Sequence, residues 1–145
     1  MPTMLDQILA AQRGEVPPAP ITQLIGFTLR TIEPGHAVVD FTAEPRHANP
    51  MGTLHGGVLC DVADAAMGMA WAATLGEGET FTSLDLTIKF LRPVWTGKLV
   101  ATGRVVHGGK TVGLLECDVV DEKDRLVARA SSTVMTLRGA QAAGR

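Results

Sequence analysis

Residues 49–75 read NPMGTLHGGVLCDVADAAMGMAWAATL. From Leu54 to about Leu75, alanines, methionines and other apolar residues fall on nearly every side of a helical projection, and Gly76-Glu77-Gly78 ends the run. A helix apolar all round is one that the rest of its domain wraps. Two features do not fit a plain core helix. Gly56 and Gly57 open it directly behind His55, and two carboxylates, Asp61 and Asp64, fall inside it, where charge is expensive.

The segments on either side supply the wrapping. Upstream, 27–32 and 36–43 are strand-like around the turn Glu33-Pro34-Gly35, and 44–54 is a polar loop carrying Pro and Gly. Downstream, 80–91, 98–106, 111–120 and 126–137 are rich in β-branched residues and separated by short turns. Short turns require antiparallel neighbours, because parallel strands need long crossovers. The expected class is α+β, a long central helix wrapped by a five- to six-stranded antiparallel sheet. Residues 3–13 form a short helix with Met4, Leu5, Ile8 and Leu9 on one face, and the Pro-rich stretch 16–20 follows as a linker. The expected division is thus 1–20 helix and linker, 21–138 domain, and 139–145 tail.

Composition narrows the function classes. A chain of 145 residues makes one domain. No apolar run approaches the length of a membrane span, and the first residues lack the pattern of a secretory leader. A net charge of −2 with no basic block argues against nucleic acid, so an anionic ligand needs a local basic pocket. Cys60 and Cys117 have no metal spacing and are expected as free thiols in a reducing cytoplasm. The four histidines, His36, His47, His55 and His107, include no H-x-x-x-H pair, and no G-x-S-x-G occurs. No metal and no cofactor are expected.

Gly56 and Gly57 lack side chains, so a ligand atom can approach their backbone N–H groups at the positive end of the helix. Either they receive an anion or a developing oxyanion, or they let the helix pack closely. One oxyanion donor stabilises a transition state by about 3 kcal/mol. Asp61, near the helix start, reads as a half-exposed acid favoured by the helix dipole. Asp64, between Ala63 and Ala65, lies deeper and suits a reactive role. Eight residues of helix separate Gly56 from Asp64, about 12 Å. If both act on one bond, the acid must come from a second copy, with two such helices antiparallel across a dyad.

The pattern N-x-x-G-T-x-H-G-G, with Asp eight residues after the first of the paired glycines, resembles the hotdog-fold acyl-CoA thioesterases of the phenylacetate-degradation (PaaI) and 4-hydroxybenzoyl-CoA type. The resemblance spans about 20–138 and extends to Ser83-Leu84-Asp85, Phe90-Leu91-Arg92-Pro93 and Gly109-Lys110-Thr111. It implies that the Gly56 N–H polarises a thioester carbonyl, and that Asp64 of the opposite subunit is nucleophile or general base. It further implies that Asn49 holds the carboxylate or water, that His55 orients the loop or contacts the thioester, and that Ser83 binds the attacking water. Coenzyme A would lie along Gly57, Phe90, Leu91, Arg92, Pro93, Gly109, Lys110 and Thr111, with Arg138 a further phosphate candidate. Met51, Met67 and Met69 either shape an acyl pocket or are plain core. The implied protein is a cytoplasmic homo-oligomer, a dimer of dimers, acting on acyl-CoA or aryl-CoA. Two other classes stand beside it. A hotdog hydratase would need an Asp soon after the histidine, and none is there; a non-catalytic acyl-CoA sensor would typically lack Asp64.

Overall fold

The computed structural model covers residues 1–145. Six strands form one antiparallel sheet in the order β1-β2-β4-β5-β6-β3. They are β1 (Phe27–Glu33), β2 (His36–Ala43), β3 (Thr80–Phe90), β4 (Gly97–Gly108), β5 (Val112–Val120) and β6 (Leu126–Leu137). The sheet curls around α3 (Gly56–Ala72), which lies chiefly on β4 and β2. This is the helix-in-sheet arrangement expected above, with six strands.

Contact between helix and sheet is close because β4 has no side chain beneath the helix centre. A Cβ on Gly103 would meet the carbonyl of Ala66 at 2.4 Å. The helix backbone therefore rests almost directly on the strand, and Val62, Ala66, Met67 and Trp71 fill the space to either side. Alternation along β5 buries Leu115, Cys117 and Val119 under the helix and turns Glu116 and Asp118 outward. On that outer face Arg104 pairs with Glu116 at 2.8 Å, and Arg129 with Asp118 at 2.7 Å.

Two local expectations need correction. The helix is not covered on every side: Gly57 and Asp64 are exposed and Cys60, Asp61 and Gly68 only half-buried, so an open stripe runs along it. The stretch 16–20 is not followed directly by a strand. A short helix, α2 (Pro20–Ile25), starts with its proline at the first position and ends on Gly26 in the left-handed region, φ 90°. The first helix, α1 (Met4–Gln12), is closed by a reciprocal cap between Thr3 and Asp6.

Candidate active site

The loop before α3 is built to present the helix start. Asn49 accepts from the N–H groups of Met51 and Thr53 through Oδ1, and its Nδ2 donates to the Thr53 hydroxyl at 2.8 Å. His47 is buried; its Nδ1 accepts from the Glu44 N–H and its Nε2 donates to the Ile25 carbonyl at 2.9 Å. The Leu54 N–H donates to the Val94 carbonyl at 2.7 Å, which ties the loop to the chain leaving β3.

These bonds leave one donor unused. His55 is the N-cap of α3, and its Nδ1 accepts from the Gly57 N–H at 2.8 Å. The Val58 N–H goes to the His55 carbonyl, and that of His55 to the His47 carbonyl. The N–H of Gly56, the first residue of the helix, has no partner in the chain. Gly57, the other half of the glycine pair, is occupied by the cap. Because Nδ1 accepts, the proton of the neutral His55 ring sits on Nε2.

Asp64 lies on the open stripe. As a residue it is exposed, not deeper than Asp61, which corrects the expectation from sequence. Its carboxyl is nonetheless crowded from the side of the sheet. Burial raises its pKa first, the Asp61 charge raises it further, and the nearby Ser83 hydroxyl on β3 pulls it back. Cys60 is raised as well, first by burial and then by the charges of Asp61 and Asp64. Cys117, buried under the helix, is pushed up to about 12 by burial and is an inert core thiol.

The strand β3 runs antiparallel to α3 and meets it at three points. Phe81 lies against Gly68, Ser83 faces Asp64, and the ring of Phe90 covers Gly56, where a Cβ would meet it at 2.8 Å. The end of the strand is pinned to β6, since the N–H groups of Leu91 and Arg92 both donate to the Val127 carbonyl. The Arg92 side chain has no acidic partner in the chain.

Other expected site residues fall elsewhere. The Gly109–Thr111 turn lies at the opposite end of α3: Trp71 packs over Gly108 and Gly113, fifteen residues and about 22 Å beyond Gly56. Arg138 is ion-paired with Glu79 and donates to the Lys110 carbonyl. Met67 is fully buried core, whereas Met51 is exposed at the loop tip. One protomer therefore joins Asn49, His55, Gly56 and Phe90 at one end, Asp64 and Ser83 at the middle, and Lys110 at the far end. Sequence reasoning did not find the contact of Phe90 with Gly56, which joins two segments more than thirty residues apart in the chain.

A sequence model of the thioesterase superfamily matches residues 51–128, more than half of the chain and including both the helix and β3. The chain belongs to the thioesterase superfamily. Three relatives bear this out. "Acyl-coenzyme A thioesterase PaaI" of Escherichia coli is 32% identical over 105 residues, covering 72% of this chain and 73% of that one. "Acyl-coenzyme A thioesterase 13" of Homo sapiens is 31% identical over 109 residues, 74% and 77% of the two chains. "1,4-dihydroxy-2-naphthoyl-CoA hydrolase" of Listeria monocytogenes is 27% identical over 114 residues, 79% and 93% of the two chains. The solved E. coli PaaI structure superposes with a TM-score of 0.82 at 27% identity, covering 94% of this chain and 95% of that one. The thioesterase and its hotdog fold, implied by the motif around Gly56, are thus established, and with them thioester hydrolysis as the chemistry.

Proposed function

We propose that this thioesterase hydrolyses acyl-CoA or aryl-CoA to the free acid and CoA, at sites shared between two copies of the chain. The observation that carries the reading is the unpartnered Gly56 N–H at the start of α3, with Asp64 about 12 Å further along the same helix. In the proposed reaction the Gly56 N–H donates to the thioester oxygen as it gains charge. The partner subunit's Asp64, ionised, either attacks the carbonyl carbon, expelling CoA thiolate and leaving a mixed anhydride that water then cleaves to the free acid, or takes a proton from the attacking water as CoA thiolate leaves. His55 Nε2–H, beside this donor, orients the thioester. The Ser83 hydroxyl, next to Asp64, positions the water. Asn49 gives most of its amide to its own loop and keeps one N–H for the water or the carboxylate.

The sharing of sites rests on the free edge of β3. This strand ends the sheet, is eleven residues long, and with the chain that follows exposes Leu84 (54%), Phe90 (55%), Leu91 (57%) and Trp95 (60%). A long apolar edge of this kind calls for a partner. Two β3 strands paired antiparallel about a dyad bring two α3 helices antiparallel, because β3 is antiparallel to its own α3. That arrangement carries the partner's Asp64 toward Gly56. It also carries the partner's Gly109–Thr111 turn, with Lys110, toward Arg92, so that both cations reach one CoA. Exposed Val106, Val112 and Leu114 on the outer sheet face support a dimer of dimers. The two unpaired cysteines suit a reducing cytoplasm.

The test is complementation, read as thiol release from phenylacetyl-, hydroxybenzoyl- and aliphatic CoA. Asp64→Asn and a variant lacking the Gly56 donor are each expected to be inactive. Co-expressed in equal amounts, they form mixed dimers with one intact site, restoring about a quarter of wild-type activity. No recovery on mixing would defeat the shared site, and near-normal turnover by Asp64→Asn would remove that residue from the mechanism.

A further inference from the structure

Strand β3 changes face in its middle. Its pairing with β6 sets Phe81 opposite Thr136 and Ser83 opposite Val134, then skips Leu84 and sets Asp85 opposite Thr133, Leu86 opposite Ser132, Ile88 opposite Ala130 and Phe90 opposite Ala128. Thr136, Val134, Ser132, Ala130 and Ala128 form the alternating buried face of β6. Facing residues on paired strands share a side of the sheet. Phe81 and Ser83 therefore point at the helix on one side of Leu84, and Leu86, Ile88 and Phe90 point at it on the other. A regular strand cannot do this, because side chains alternate strictly and a single step of register reverses every one of them. Without the extra residue, facing Ser83 toward Asp64 would turn Phe90 away from Gly56.

The bulge is held by Asp85. The Thr133 N–H, at the point where the ladder is interrupted, donates to Asp85 Oδ1 at 2.8 Å, and the buried Ser132 hydroxyl donates to the Asp85 carbonyl at 2.8 Å. The carboxylate takes the place of the main-chain acceptor that the extra residue displaces. We infer that Asp85 is a positioning residue of this thioesterase: its carboxylate locks the bulge at Leu84, and the bulge is what sets Ser83 against Asp64 and Phe90 over Gly56 at once. The inference rests on the reading of Gly56 and Asp64 given above. Asp85 itself touches neither the substrate nor the reacting atoms.

Asp85→Ala and Asp85→Asn are compared with wild type and Ser83→Ala by kcat, KM, pH profile and light scattering. The titratable groups facing Asp64 are Asp61 and Cys60 on its own helix, while β3 adds the Ser83 hydroxyl alone. Loss of that hydroxyl from Asp64 moves the acidic limb of kcat to higher pH. Asp85→Ala is expected to keep the wild-type oligomer, lower kcat at least tenfold with a smaller change in KM, and shift the acidic limb to higher pH. Ser83→Ala should shift the limb equally, and the double variant no further. Asp85→Asn keeps an acceptor for the Thr133 N–H and should retain most activity. Wild-type kcat and an unmoved limb in Asp85→Ala would overturn the inference. So would a loss in Asp85→Asn as large as in Asp85→Ala, or a loss that coincides with dissociation to monomers. If wild type releases no thiol from any CoA thioester, the underlying reading fails. In that case the bulge is still tested by whether Asp85→Ala, unlike Asp85→Asn, loses the amide-exchange protection of Thr133.

Discussion

The ring of Phe90 occupies the space that any side chain at Gly56 would need: a Cβ there would lie 2.8 Å from the ring edge. The first residue of the helix thus combines two separable features, an uncovered N–H and an aromatic lid on its Cα. Gly56→Ala keeps the donor and meets only the lid. It should destabilise the fold by about 1–3 kcal/mol, the cost of overpacking. Phe90→Ala in the same chain should restore most of that loss, as measured by a double-mutant cycle in thermal or urea unfolding.

In the Phe90→Ala background, Gly56→Pro separates the donor from the shape. Proline is tolerated at the first helical position, and His55 before it already has the extended backbone that proline demands, φ −63° and ψ 131°. Gly56→Pro lacks the N–H that Gly56→Ala retains. Its kcat should be lower than that of Gly56→Ala by about 10²–10³, or roughly 3–4 kcal/mol of transition-state stabilisation. Equal rates in the two variants would exclude this N–H as the oxyanion donor.

Asp64 is expected to limit stability while it supports catalysis. Its folded pKa is raised, so the folded protein holds that proton more tightly than the unfolded chain does. The stabilising contribution of the protonated form is fully present below the ordinary aspartate pKa and is lost as pH rises through the raised value. At neutral pH the ionised group therefore works against the fold. Asp64→Asn should melt at the same temperature as wild type or higher, by calorimetry at pH 7, while losing most of its turnover. A clear fall in melting temperature would contradict the assigned direction.

The same shift has a kinetic signature. The proposed mechanism requires an ionised Asp64, so kcat should fall on acidification along a limb set above the ordinary aspartate range. Asp61 contributes to that position through its charge. Asp61→Asn should move the limb to lower pH and leave the plateau rate within about threefold, because removing a like charge eases ionisation without touching the reaction. A plateau that collapses with Asp61→Asn would give that residue a direct part in the chemistry.

The contact between α3 and β4 is the least forgiving point of the fold. A methyl group on Gly103 would sit 2.4 Å from the Ala66 carbonyl, which is main chain and cannot rotate away. Gly103→Ala should cost at least as much as the upper range of ordinary core substitutions, about 3 kcal/mol or more, and leave little folded protein at 37 °C. Circular dichroism and soluble yield measure it. Gly113→Ala meets the Trp71 ring instead, a side chain, and Trp71→Leu should relieve part of that clash.

Much of this was legible in the sequence because it is periodic or local. Strands 36–43 and 126–137 have the bounds expected, and β3 ends one residue short of expectation. The helix was readable from its apolar length and from the glycines at both ends, and the motif around His55 was specific enough to imply the hotdog thioesterases. Helix α2 was missed because a proline-rich stretch reads as a break, although Pro20 is the residue that starts it. The bulge at Leu84 was not foreseen, because the spacing of Leu84 with Leu86, Ile88 and Phe90 is that of a regular strand, whereas Leu84 is the extra residue and is exposed.

Local chemistry along the chain determined which element follows which, the uncovered backbone donor at a glycine helix start, and a carboxylate placed too far along the same helix to share its bond. Those follow from helix rise, turn length and side-chain size. Tertiary structure alone decided what each group faces. Asp64 is exposed because the sheet covers one side of α3 and leaves a stripe, and Phe90 covers Gly56 because a bulge at Leu84 switches the face to which the side chains of β3 point. Facing relations of this kind arise from packing between segments distant in sequence, and no spacing within one segment contains them.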